Sequence, residues 1–360
     1  MTKVRVEIVV IRGGTALVGP TLRPLEDAVL IIEDGLIAEL GAASSVAIPE
    51  GAVIVDASGM TLVPGFIDAH VHIEFADPAE VLAGGVTTVR DLAWPPESIW
   101  PLAERSRDPG FEGPLIVAAG QMLTTEGGYP TRAGWAPEGT GLVVAAPEDA
   151  AAAVDAQADA GASVIKVGLN SAVGPTLDLE TLRAIVDAAN TRDLAVTGHV
   201  DNIEQLEKAL DAGMTELAHM LLGGERIPDE GIERMVRAGM TVVPTLSILA
   251  GPELEAAVDN LARFRAAGGS VVYGTDLGNA GPRPGIDPTE VAAMTAAGMS
   301  LHDILVSATV DAGALLGLDG VGTLSEGMAA DIVALGGAPL ADPGDLTDVQ
   351  MVWRRGRRAR

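Results

Sequence analysis

The chain has 360 residues, a formal charge of −27 and no cysteine. That length holds one barrel-sized domain with an appendage, or two ordinary domains. The acidity would repel nucleic acid phosphates and anionic lipid, and the lack of cysteine excludes disulfides, thiolate metal sites and a Cys nucleophile. Any metal has to sit on His, carboxylate or Lys-derived ligands. No apolar run approaches the roughly 18 residues that a membrane-spanning helix needs.

Met1-Thr2-Lys3-Val4-Arg5-Val6-Glu7 passes directly into an alternating pattern, without the basic segment and apolar block of a secretory signal, so a cytoplasmic location is expected. Residues 3–60 then read as short strands at 4–10, 28–32, 36–40 and 52–55, with Asp34-Gly35 as a hairpin turn. Beyond them the period changes. Short apolar runs at 62–69, 86–92, 115–119, 164–167, 194–198, 216–218, 241–246 and 271–275 alternate with Ala-rich helical segments at 147–160, 177–192, 203–212, 229–238 and 252–267. Gly161, Gly213, Gly239 and Gly268 follow helical segments where a C-cap wants glycine. Alternation of this kind builds βα units on a parallel sheet, and eight strands suit a barrel better than an open sheet. An open doubly wound sheet would want a Gly-rich dinucleotide fingerprint after a strand, and none follows any of these. Strand patterns resume at 330–335 and 349–353, so both termini are expected to build one discontinuous β domain (1–58 and 320–360) around a barrel at 59–319. The basic tail Arg354-Arg355-Gly356-Arg357-Arg358-Ala359-Arg360 reads either as the solvated end of the last strand or as a nucleic-acid patch.

Four of the five histidines fall at or just past the carboxyl ends of these strands: His70, His72, His199 and His219. Barrel enzymes keep their active sites on that face, and neutral imidazole is the commonest metal ligand. His70 and His72 are two apart in a strand and point the same way, which suits either one shared ion or packing. Asp276 closes the last strand as a ligand or as a turn former. Lys166 lies inside the apolar run Ser163-Val164-Ile165-Lys166-Val167, and burying an ammonium without a partner is costly, so a function is wanted for it. Arg90 and Asp91 end the second strand, read as a structural ion pair or, less readily, as a substrate contact. His302 lies in a helix and packs or faces solvent.

The motif Val63-Pro64-Gly65-Phe66-Ile67-Asp68-Ala69-His70-Val71-His72 resembles the opening of the amidohydrolase superfamily. The likeness continues through Gly85-Val86-Thr87-Thr88-Val89-Arg90-Asp91, Ile165-Lys166-Val167, Gly198-His199, Ala218-His219, Pro244-Thr245-Leu246 and Gly274-Thr275-Asp276, and ends in the segment from Gly322 to Val333. It is strongest toward the imidazolonepropionase-like and Xaa-Pro dipeptidase-like branch. The resemblance implies an α/β fold, a (β/α)8 TIM barrel with a small discontinuous β-sandwich domain. It implies that His70, His72 and Asp276 hold a more buried ion and His199 and His219 a more exposed one, with Lys166, carboxylated by CO2, bridging both. Zinc is the first choice for such N/O ligands, with Mn, Co or Fe also accepted. The implied reaction is hydrolysis of an amide C–N bond by a metal-activated water, with Asp276 as general base and then acid. The substrate would be a small molecule or short peptide, among them a dipeptide, an N-acyl amino acid, a cyclic amide or a lactone. Self-assembly into a homo-oligomer stays open.

The pattern departs from that branch in three places. Tyr129 stands where a Gly-Gly-His element commonly ends, and either donates a hydrogen bond to substrate or packs in its loop. Ala218 replaces a frequent Glu, so a hydrogen bond supporting the ligands is expected to be missing. Residues 246–269 are short compared with relatives, which leaves the site more open and suits a bulkier or peptide-like substrate. A mononuclear deaminase is the alternative enzyme, against which Lys166 argues. A catalytically inactive barrel scaffold is the further alternative, against which the complete ligand set argues.

Overall fold

A computed structural model describes residues 8–360; residues 4–7 of the first predicted strand lie outside that range. The strands near both ends of the chain form one hydrogen-bonded sheet. It takes Val9–Val18, Arg23–Glu33, Leu36–Ala42, Val53–Asp56 and Thr61–Pro64 from the first part and Ile332–Leu335, Val349–Arg354 and Arg357–Arg358 from the last. The two parts meet where Thr61–Pro64 runs antiparallel to Ile332–Leu335, Pro64 opposite Ile332. Asp34-Gly35 turns a hairpin with φ of 52° and 79°, the left-handed pair that a tight two-residue turn requires. Ile11, Leu30, Ile37, Leu62, Ile332 and Trp353 are buried together, so residues distant along the sheet share one apolar core.

The predicted strand at 62–69 is in fact two strands. Thr61–Pro64 belongs to the terminal sheet and Phe66–Val71 to the parallel strands, with the chain crossing between them at Gly65. A Cβ on Gly65 would lie 2.1 Å from the Thr87 hydroxyl oxygen, so only glycine passes there. Arg355, Arg357, Arg358 and Arg360 of the basic tail are exposed, as expected of a solvated strand end, but Arg355-Gly356 turns left-handed and folds Arg357–Arg358 back onto Trp353 and Arg354. Arg354 is thereby buried, donating to the carbonyls of Gly113 and Ser106.

The parallel strands are β1 (Phe66–Val71), β2 (Val86–Asp91), β3 (Leu115–Ala118), β4 (Ile165–Leu169), β5 (Val196–Val200), β6 (Glu216–Leu217), β7 (Thr241–Val242) and β8 (Ser270–Val271). β1 to β3 pair in order, as do β4 to β8, every pairing parallel. Met122–Thr124 and Gly141–Val143 add two short parallel strands beside β4, inside what the sequence presents as loop. At the other margins Ser163 N–H donates to the Ala118 carbonyl (2.9 Å), Asp276 N–H to the His70 carbonyl (2.8 Å) and His72 N–H to the Leu277 carbonyl (2.7 Å).

Helices Ala150–Ala160, Leu179–Thr191, Ile203–Asp211, Asp229–Arg237 and Gly251–Ala266 lie where the periodicity predicts them. Their apolar stripes face the strands; Leu182, Ile185, Val186 and Ala189 are the buried edge of one of them. Gly161, Gly213, Gly239 and Gly268 all carry positive φ beyond helix ends. The predicted run at 241–246 keeps only Thr241 and Val242 as strand and the run at 271–275 only Val271, because their tips leave the sheet to carry Thr245 and Asp276 in left-handed conformation. No helix among the described residues is long and apolar enough to cross a membrane.

Candidate metal centre

His70 lies in β1 and His72 just beyond it, Lys166 in β4, His199 in β5, His219 two residues after β6, and Asp276 past the end of β8. All six are buried. They come from carboxyl-terminal tips or strand interiors, which side chains of parallel strands reach from one end.

Hydrogen bonds to the outer ring nitrogens set the state of the first pair. His70 Nδ1 lies 2.8 Å from the Ala218 carbonyl and His72 Nδ1 3.2 Å from the Ala93 carbonyl. A carbonyl only accepts, so each Nδ1 carries a proton, and in the neutral ring Nε2 then presents a lone pair. Both lone pairs are aimed at Asp276 Oδ1, at 3.1 and 3.3 Å. Acceptors therefore face an acceptor, and His70 Nε2 and Asp276 Oδ1 have no hydrogen-bond partner. A proton is a poor remedy at His70, whose pKa burial pushes down to about 4. A divalent cation between the three groups fits this donor set, and their ligand atoms lie within 4.8 Å of one another.

His199 and His219 form a second pair, the His219 ring centroid 4.7 Å from that of His70. His219 Nε2 is 3.0 Å from His199 Nδ1, and His219 Nδ1 is 2.8 Å from Thr245 Oγ1 and 3.9 Å from Asp276 Oδ2. Asn170 Nδ2 donates to His199 Nε2 at 3.1 Å. Burial holds both imidazoles well below their ordinary pKa, so they too are neutral donors of lone pairs. Lys166 Nζ is buried with no hydrogen-bond partner, and burial lowers its pKa to about 7. Tyr129 stacks on His199 with ring centroids 4.4 Å apart, and Trp135 lies 5.0 Å from the His72 ring. Burial raises the phenol well above its ordinary pKa, so Tyr129 keeps its proton.

Ala218 offers no side-chain hydrogen bond to the site, and its backbone carbonyl orients His70. One expectation needs correction. Arg90 pairs with Glu216 rather than with Asp91: its guanidinium makes two bonds to that carboxylate, at 2.5 and 3.2 Å, and Nε donates to the Ala69 carbonyl. Neighbours in a strand point to opposite faces, so Asp91 could not have been the partner. Asp91 instead accepts from the N–H groups of Ile73 and Ala93, which steadies the carbonyl that orients His72. His302 is exposed, as one of its two predicted alternatives.

Asp68, Thr245, Thr275 and Asn170 support the site without having been assigned a role from the sequence. Asp68 accepts from His70 N–H, Thr275 N–H and the Thr275 hydroxyl, tying β1 to the segment that presents Asp276. Its signal was a carboxylate two residues before a histidine in an otherwise apolar strand. Thr245 and Asp276 have φ of 47° and 58°, unfavourable for side-chain-bearing residues and worst for a β-branched one, and both sit against the histidines.

Residues 61–359 match the amidohydrolase family model, and the chain belongs to the amidohydrolase family. Among its relatives, an uncharacterised protein of Mycobacterium tuberculosis is 29% identical over 336 aligned positions, covering 83% of this chain and 85% of its own. Ochratoxinase of Aspergillus niger is 26% identical over 425 aligned positions, covering 98% of this chain and 86% of its own. The crystal structure of a Xaa-Pro dipeptidase with methionine in its active site superposes with a TM-score of 0.83 at 22% identity, over 98% of this chain and 99% of that one. That structure shares the fold.

Proposed function

We propose that the chain is a binuclear metal-dependent hydrolase that cleaves an amide C–N bond in a small-molecule or short-peptide substrate. The scaffold in this reading is a closed (β/α)8 barrel, with the terminal sheet folded on itself as a small β-sandwich domain. The bonds from β1 to the segment after β8 support the closure, and the shared apolar core supports the sandwich.

The observation that carries the reading is the pair of histidine lone pairs aimed at one carboxylate oxygen. His70, His72 and Asp276 would hold one ion, His199 and His219 a second, and Lys166 would bridge them once carboxylated. A lysine pushed toward neutrality supplies the amine for that step, in which Nζ forms a bond to the carbon of CO2 and releases a proton. Zinc suits the N/O donors, and Mn, Co or Fe would also be held. When bound, the ions would polarise the scissile carbonyl and lower the pKa of water. Asp276 would take a proton from that water and return it to the leaving nitrogen. Tyr129, protonated beside His199, would donate a hydrogen bond to the substrate oxygen.

The test is elemental analysis together with turnover on N-acyl amino acid and dipeptide panels. Expected are about two ions per chain and amide hydrolysis, with Asp276→Asn keeping its metal and losing at least ~100-fold in kcat. One ion per chain with ammonia released from aminated rings, or an active, metal-loaded Asp276→Asn, would overturn the proposal.

A further inference from the structure

A cavity of about 250 Å³ lies beneath the strands, lined by Arg354, Arg355, Arg357 and Arg358 and closed on its apolar side by Leu82 and Phe111. Its walls come from the helix Pro78–Ala83 that leads into β2, the loop that leads into β3, and the returning hairpin at the end of the chain. These are the amino ends of the strands, opposite the end that carries the histidines, so this cavity is separate from the candidate metal centre.

Acidic groups outnumber basic ones by more than two to one in this chain, 50 against 23. About half of the arginines elsewhere find carboxylates, as Arg192 does with Asp155 and Asp159. The cavity arginines do not: none of the four takes part in an ion pair among the described residues. Arg354, Arg355 and Arg357 bond to the carbonyls of Gly113, Arg107 and Pro109, which orients the guanidinium groups, and the buried Asp331 offsets part of the charge of Arg354 and Arg355. Arg358 lies over the Trp353 ring, 5.8 Å from its centroid, and its Nε donates to the Arg360 oxygen at 2.8 Å. Arg354 is 6% exposed, and its Nε is buried with no partner. Glu112 is the one carboxylate on the wall. Four guanidinium groups around one small hollow, outnumbering the carboxylates beside them and one with a buried unsatisfied donor, match an anion with several acceptor oxygens.

We propose that this cavity binds a small organic phosphate monoester, its phosphoryl group on the arginines and its apolar body against Leu82 and Phe111. The volume suits a one-ring body and excludes a bulky one.

The probe is phenyl phosphate, titrated calorimetrically into the full-length chain. Expected is saturable 1:1 binding that weakens as salt rises, with inorganic phosphate at least ~10-fold weaker and phenol not bound. Arg357→Lys with Arg358→Lys keeps the charge but removes the planar forks, and should weaken binding at least ~10-fold with an unchanged melting temperature. Asp276→Asn should bind as the parent does, which separates this cavity from a phosphate lodged among the histidines. The proposal is overturned by an absence of saturable binding, by undiminished binding in the arginine double variant, or by loss of binding in Asp276→Asn alone. Salt-sensitive self-association that the double variant abolishes would also overturn it, identifying the acidic surface of a second copy as the occupant.

Discussion

Arg90 and Glu216 are both almost fully buried, and their pair crosses from β2 to β6. Removing one partner strands the other charge in the interior, so Arg90→Met should cost about 3–5 kcal/mol, and adding Glu216→Leu should recover most of that loss. Urea unfolding of the two variants measures it; equal destabilisation by the single and double variants would contradict it. Glu290 offers a test by pH. Burial raises its pKa from 4.5 to about 8, although its carboxylate accepts the Ser247 N–H at 2.7 Å. The folded chain then keeps a proton that the unfolded chain releases, so stability is full below pH 4.5 and is lost as pH climbs toward 8. Glu290→Gln should flatten that decline, gaining on the order of a few kcal/mol at the alkaline end. Stability curves at pH 5 and pH 8 decide the matter, and parallel curves for parent and variant would refute it. The histidines, Lys166 and Asp276 were legible in the sequence because charged or polar residues interrupt apolar strands there. Glu216 was not, because its partner lies 126 positions away and neither position reveals the pairing alone.

At the scale of elements, the carboxyl ends of the five predicted helices were read to within a residue, and four of the five are stopped by a glycine in left-handed backbone. Gly161 has φ of 103° and open space around its missing side chain, so Gly161→Ala carries only the backbone penalty, roughly 1 kcal/mol. A shift of a few degrees in melting temperature is the expected readout. Strand tips were harder. The apolar pattern continues through 243–246 and 272–275, but the backbone leaves the ladder there to aim Thr245 and Asp276. Apolar content follows burial rather than ladder bonding, so these tips read as strand. Gly65 hid another boundary, since two strands of different sheets are separated by one residue.

For the whole molecule, the excess of 27 negative charges sets the electrostatic balance. Scattered surface ion pairs contribute little each, so self-repulsion dominates and salt should relieve it. The melting temperature should rise between about 10 mM and 200 mM NaCl; a fall would mean that the ion pairs prevail. The alternation of strands and helices was legible because it repeats. The terminal sheet was legible only as two separate runs of strand pattern, since nothing in either run names the other. The pairing of Thr61–Pro64 with Ile332–Leu335 also bears on how the molecule is made. Strands from the first part leave the ribosome with that edge bare, and their partner follows only after some 270 more residues, on the order of half a minute at typical elongation rates. During that interval an apolar edge is open to other nascent chains, which makes this protein a candidate client for chaperones that guard unfinished sheets.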